Sequence, residues 1–92
     1  MLKISFTAKM KKDLKLAKKR GYDLNEFNTV LNMLVKQEQL PEQYHDHQLS
    51  GRYKGHRECH IELDWLLIYK IEDDILTLTL TRTGTHSDLF KL

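Results

Sequence analysis

Five histidines stand out in this sequence of 92 residues: His45, His47, His56, His60 and His86, beside a single cysteine, Cys59. Imidazole gives and takes protons near neutrality, with an unperturbed pKa of about 6.5. Two histidines and an arginine suffice to break an RNA strand without a metal. A base takes the proton of the ribose 2′-OH, an acid protonates the leaving 5′ oxygen, and a cation stabilises the charge building on phosphorus. His60, His86 and Arg82 are of the right types. Asp64 could orient a histidine or help activate the hydroxyl, and Trp65 could stack on a base. Each also has a plainer reading: a turn aspartate, a half-buried anchor, a surface histidine in a tail.

A metal site is not expected. His45-x-His47 with Cys59-His60 matches no standard zinc spacing, and adjacent strand residues point to opposite faces, so Cys59 and His60 cannot easily share one ion. The same geometry disfavours Cys59 as a nucleophile and leaves it as a small core residue.

These residues must be positioned by strands. His56 to Glu62 alternates strictly, with His56, Glu58, His60 and Glu62 on one face and Arg57, Cys59 and Ile61 on the other. Leu66 to Ile71 is nearly continuous and apolar, as a central strand should be. After the polar turn Glu72-Asp73-Asp74, Ile75 to Thr81 alternates again, with Leu76, Leu78 and Leu80 inward and the threonines outward. Strict alternation would put Arg82 on the core side with Leu80, in tension with a catalytic role. Gly84 permits a positive φ or close approach of a phosphate. The tail from Thr85 to Leu92 reads as a short strand or a helical turn.

Ahead of these strands, residues 2–6 read as a strand. Phe6, Met10, Leu14 and Ala17 then recur at helical spacing, with Lys9, Lys11, Lys12, Lys15, Lys18 and Lys19 between them. Gly21 is a natural stop. Asp23 and Glu26 form a capping pair for a second helix with Leu24, Phe27, Leu31 and Leu34 as its stripe, and Pro41 closes the helical region. The expectation is an α+β domain spanning 1–92 in the order β-α-α-β-β-β, with two N-terminal helices packed on one face of a mainly antiparallel sheet. The opposite face is then free to be the working surface.

No apolar run approaches the roughly 20 residues needed to cross a bilayer, and the N-terminus lacks a signal-peptide pattern, so the cytoplasm is the expected compartment. The net charge is only +2, yet eight lysines or arginines and one acid, Asp13, lie between Lys3 and Arg20. Such a segment suits a polyanion or an acidic partner, or is a solvated helix face.

Two segments are specific in combination: His47-Gln48-Leu49-Ser50-Gly51 running on through His60-Ile61-Glu62-Leu63-Asp64-Trp65, and Arg82-Thr83-Gly84-Thr85-His86-Ser87-Asp88-Leu89-Phe90. With their H-x-x-x-D-W and R-T-G-T-H-x-x-L-F patterns, they make the chain resemble the YafQ-type toxins of the RelE/ParE superfamily over nearly its whole length. The resemblance implies an mRNA interferase that works with the ribosome, without a cofactor, and cuts mRNA in the decoding site. It implies a cognate antitoxin whose extended segment wraps the toxin, and binding of operator DNA by the two together. Carried over by motif, the active-site positions are His47, His60, Asp64, Trp65, Arg82, His86 and Phe90; Lys11, Lys15 and Lys18 are the basic-helix candidates for RNA docking. Ser50 to Tyr53 departs in detail and the last hairpin is slightly longer, which bears on substrate positioning. Two other readings stay open: a gyrase-poisoning relative, against which the histidines argue, and a non-catalytic basic RNA- or partner-binding module. For the acid–base roles, the carboxylates Glu58, Glu62 and Asp64 near His60 favour it as the acid, and Arg82 before His86 favours His86 as the base. The rival assignment takes Asp64 as base and His86 as acid.

Overall fold

The computed structural model describes residues 1–90. Its elements are β1 (Lys3–Phe6), α1 (Ala8–Lys19), α2 (Leu24–Val35), β2 (His47–Gln48), β3 (Arg57–Glu62), β4 (Trp65–Glu72), β5 (Thr77–Gly84) and α3 (His86–Phe90). The five strands form one sheet in the order β1-β5-β4-β3-β2. Only β1 and β5 run parallel; the other pairs are antiparallel. The α+β class and its mainly antiparallel sheet are as expected. The short β2 is an addition, and the tail resolves to the helical turn α3, with Lys91 and Leu92 outside the described residues.

Local chemistry explains the helices. Thr7 caps α1 by accepting from Met10 N at 3.0 Å, and its hydroxyl also donates to the Thr81 carbonyl at 2.7 Å. Helix α1 ends in a Schellman turn: Gly21 N reaches Lys18 O, Tyr22 N reaches Ala17 O, and Gly21 takes the left-handed φ of 81°. Asp23 caps α2 by accepting from Asn25 N at 2.9 Å. The same turn closes α2 with Gln37 at φ 57°, well before Pro41. The end of α2 therefore lacks the glycine that would have marked it.

Both helices lie on one face of the sheet. Met10 and Ala17 of α1 and Phe27, Val30 and Leu34 of α2 join Cys59, Ile61, Leu67, Tyr69, Leu78 and Leu80 in the main core. On the other face Leu66 and Ile68 pack with Tyr53, Leu89 and Leu49. Strand β4 is covered on both sides, which accounts for its unbroken apolar run. Two expectations fail at the edges. Phe6 ends β1 and is 37% exposed rather than opening the stripe of α1. Ile75 belongs to a 3₁₀ turn and Leu76 takes φ 49°, so β5 starts only at Thr77 and Leu76 is 59% exposed instead of inward.

The conflict over Arg82 is resolved by a bulge. Tyr69 pairs with Leu80 but Ile68 pairs with Arg82, leaving Thr81 as an extra residue. Cross-strand partners share a face. Leu80 therefore faces the helices with Tyr69, and Arg82 faces the opposite side with Ile68. Alternation read without the bulge puts Arg82 in the core, and the register corrects it.

Candidate active site

The register gathers the chemistry on the face away from the helices. His60 pairs with Leu66, Glu58 with Ile68, and Arg82 with Ile68 from the other side. His47 pairs with Glu58, so β2 extends the same surface. Helix α3 then folds back to bring His86 to 5.7 Å from His60, ring centroid to centroid, and Phe90 to 6.5 Å from His86.

The centre is Glu58, buried at 4% exposure. Its Oε1 lies 3.4 Å from His47 Nε2 and 3.8 Å from His60 Nε2. Its Oε2 is buried with no hydrogen-bond partner among the described residues. An orphaned carboxylate oxygen is costly to bury, and this one lies beside the exposed His47 and the half-buried His60, which makes the cluster the candidate site. His47 is fixed from behind: its Nδ1 lies 2.7 Å from the carbonyl of His45. That loop is in turn held by Asp46, which accepts from Arg57 Nη2 at 2.8 Å and from the hydroxyl of the buried Tyr69.

His86 is held by Asp64. The carboxylate accepts the His86 backbone N–H at 2.9 Å and faces ring Nδ1 at 2.7 Å. These contacts, the backbone bond first, hold the Asp64 carboxyl below its ordinary range. With its proton on Nδ1, His86 has Nε2 left for chemistry.

Arg82 is clamped by Asp13, the one acid of the basic segment. Asp13 Oδ2 accepts from Nε at 2.7 Å and Oδ1 from Nη2 at 3.1 Å, and Oδ2 also takes Thr83 N at 3.1 Å. The carboxylate raises the guanidinium further above its usual value, so the group stays cationic. Two turns along α1, Arg20 Nη1 donates to Asp88 at 2.6 Å, and Asp88 caps the turn into α3 by accepting Thr85 N at 3.0 Å. Helix α1 thus splints the whole segment from Thr81 to Asp88.

His47, His60, Asp64, Arg82, His86 and Phe90 are brought together. Trp65 is not: it is 3% exposed in the core, 5.0 Å from the Tyr22 ring, so it is an anchor and offers no face to a base. Lys11, Lys15 and Lys18 also stand apart. Each is two residues from Asp13 or Arg20, hence on the far side of α1 from the splinted segment. The electrostatic reason for making His86 the base fails too, because the charge in direct contact with His86 is the Asp64 carboxylate, at 2.7 Å, and the Arg82 guanidinium is turned to Asp13. Glu58 and Asp13 are the two members of this cluster that the sequence reading did not single out as site residues. Glu58 carried a signal, sharing a strand face with His60, and so did Asp13 as a lone acid among lysines.

The set Glu58, His60 and His86 places one donor atom each within 4.8 Å of one another, which by donor type and spacing could hold a late transition-metal ion. The expected exclusion of Cys59 from any such set holds, since it is fully buried on the helix side. Burial pushes its thiol well above the usual value. No described helix is long and apolar enough to cross a membrane.

Comparison with known proteins agrees with this fold. The mRNA interferase toxin YafQ of Escherichia coli K12 is 43% identical over 88 residues, covering 95% of this chain and 94% of that one. A metal-bound toxin from Helicobacter pylori superposes with a TM-score of 0.93 at 43% identity, covering 98% of this chain and all of that one. The toxin in the E. coli DinJ-YafQ complex gives 0.89 at 41% identity, with 98% and 99% covered. The family described as the YafQ bacterial toxin of type II toxin-antitoxin systems matches residues 2–91, and this chain belongs to it.

Proposed function

We propose that the chain is an endoribonuclease: a single-domain cytoplasmic toxin that cleaves mRNA on the ribosome by metal-free acid–base catalysis. The observation that carries this reading is the convergence of Glu58, His60, His86 and Arg82 on one sheet face. The interferase name of the E. coli relative supports the activity. The DinJ-YafQ complex of E. coli supports a cognate antitoxin for this chain; that toxin and antitoxin together bind operator DNA is part of the proposal.

Geometry favours His86 as the acid. Asp64 holds Nδ1, and Nε2 carries the proton to the leaving oxygen. His60 is the base, with buried Glu58 orienting it and His47. The 2′-OH loses its proton to His60 as O2′ attacks phosphorus. The P–O5′ bond breaks, O5′ takes the proton from His86, and Arg82 stabilises the charge on the phosphoryl oxygens. The products are a 2′,3′-cyclic phosphate and a 5′-hydroxyl. A metal ion on Glu58, His60 and His86 would tie up both imidazoles of the acid–base pair, so an ion such as that of the H. pylori relative is an inhibitor in this scheme.

The test is single-turnover cleavage of an RNA whose 5′ leaving oxygen is replaced by sulfur, which departs with little protonation. It should rescue His86→Ala and not His60→Ala; the reverse pattern exchanges the two roles. Activity should survive EDTA when polyamines support the ribosomes. Loss restored only by a specific transition metal, or efficient cutting of a 2′-deoxy substrate, overturns the scheme.

A further inference from the structure

We propose that the reaction centre continues into a second nucleotide subsite at residues 51–56, which takes the base and phosphate of a nucleotide flanking the cut in single-stranded RNA. The proposal rests on the nuclease reading above. The rings of the site do not stop at Phe90. Its centroid lies 6.1 Å from that of Tyr53, edge to face, and Tyr53 lies 5.9 Å from His56. With His60–His86 at 5.7 Å and His86–Phe90 at 6.5 Å, the rings form an unbroken track from the histidine cluster to His56.

Cations accompany the far end of the track. The Arg52 guanidinium stands 5.5 Å above the Tyr53 ring, and Arg52 and Lys54 are both exposed and in no ion pair among the described residues. Past the end of the track a cleft of about 670 Å³ has Ser50, Lys54 and His56 on its near rim, and passes to the helix side of the sheet at Gln48, Arg57 and Ile71. Gly51 and Gly55 turn the chain with φ of 65° and 88°, and nothing lies within 4 Å of where a Cβ would stand, so the backbone there is open. Tyr53 itself is buried, so the rings open to a base are those of His56 and Phe90; joined to unpaired cations they are what single-stranded nucleic acid requires, since stacking holds the base and charge holds the phosphate. Ser50 and the open backbone at Gly51 and Gly55 supply donors and acceptors for a base edge. The segment carries no part of the acid–base set, so its contribution is to substrate binding.

Two RNAs test this, each 2′-deoxy at the scissile position: a dinucleotide spanning the cut and a tetranucleotide extending it on both sides. Affinities are measured by fluorescence anisotropy, beside cleavage of mRNA on ribosomes. The wild type should bind the tetranucleotide tighter by about tenfold or more. Arg52→Ala with His56→Ala should abolish that gain and leave the dinucleotide unchanged. His56→Phe, which keeps a stacking face, should retain it. If the wild type cleaves mRNA yet shows no gain for the longer RNA, or the double variant keeps the gain, the subsite is wrong and the nuclease reading stands. Weakening of antitoxin binding alone by the double variant reassigns the segment to that partner and overturns the subsite. Failure of the wild type to cleave on ribosomes removes both readings.

Discussion

At the scale of single residues, the arginine fork decides how charge is delivered. Two donors of Arg82 and the amide of Thr83 converge on Asp13, and the pair is mostly buried, at 17% and 13% side-chain exposure. In the proposed scheme Arg82 is aimed before substrate arrives, with Asp13 as its positioning residue. Asp13→Ala leaves the charge but frees the guanidinium to rotate. The expected outcome is a fall in kcat of about tenfold with KM little changed, as suits lost orientation. Stability should drop by about 1–3 kcal/mol from the broken charged hydrogen bonds. The discriminating measurement is a double-mutant cycle: in an Arg82→Ala background, Asp13→Ala should have no further effect on kcat. Additive losses would make Asp13 a purely structural residue.

At the scale of elements, the joint between β5 and α3 rests on Asp88. Arg20, together with the Thr85 N–H, holds this carboxyl far below the usual carboxylate range. A depressed carboxyl contributes its full stability above its unfolded pKa, about 3.9, and loses it as pH falls towards the folded value. The melting temperature should therefore be flat from pH 7 to about 5 and fall below about 4. Asp88→Asn should lower it by a few degrees at pH 6, since solvent screens the pair, and flatten the acid limb. Equal acid limbs in the two proteins would show that the pair stabilises nothing. The elements themselves were largely legible. Met10, Leu14 and Ala17 marked α1, the alternation of Arg57 to Glu62 marked β3, and the face shared by Glu58 and His60 pointed to the site. What was hidden depends on partners distant in sequence. The bulge at Thr81 exists only in the ladder with β4, β2 is two residues long, and the left-handed Gln37 and Leu76 carry no glycine to announce their turns.

For the whole molecule, the lysine stripe of α1 and the proposed reaction centre occupy different sides. Helix α1 turns Asp13 and Arg20 towards the reaction segment and Lys11, Lys15 and Lys18 away from it. Reversing the charge of those three lysines should weaken docking to ribosomes strongly, and the salt dependence should become shallower as phosphate contacts are lost. The single-turnover rate at saturation should stay near that of the wild type. Ribosome binding that is unaltered in both strength and salt slope would reduce the lysine stripe to a solvated face. His86→Ala, measured beside it, should bind normally and fail to cut.

The extra residue in β5 has a consequence for inheritance. Leu80 and Arg82 already meet successive partners in β4, Tyr69 and Ile68, and Thr81 meets none. Its hydroxyl is buried without a hydrogen-bond partner among the described residues. Strand β5 is in effect one residue longer than its ladder requires. Losing the codon for Thr81 would return the strand to plain alternation with Arg82 still on the catalytic side, at the expense of the carbonyl that Thr7 binds. Losing the codon for Leu80 would leave Thr81 opposite Tyr69 and put a threonine in the core, and losing the codon for Thr83 would shift the register around Arg82. In-frame deletions in this stretch should therefore sort sharply, with Thr81 the single position at which a lineage can shorten the strand and keep a working toxin.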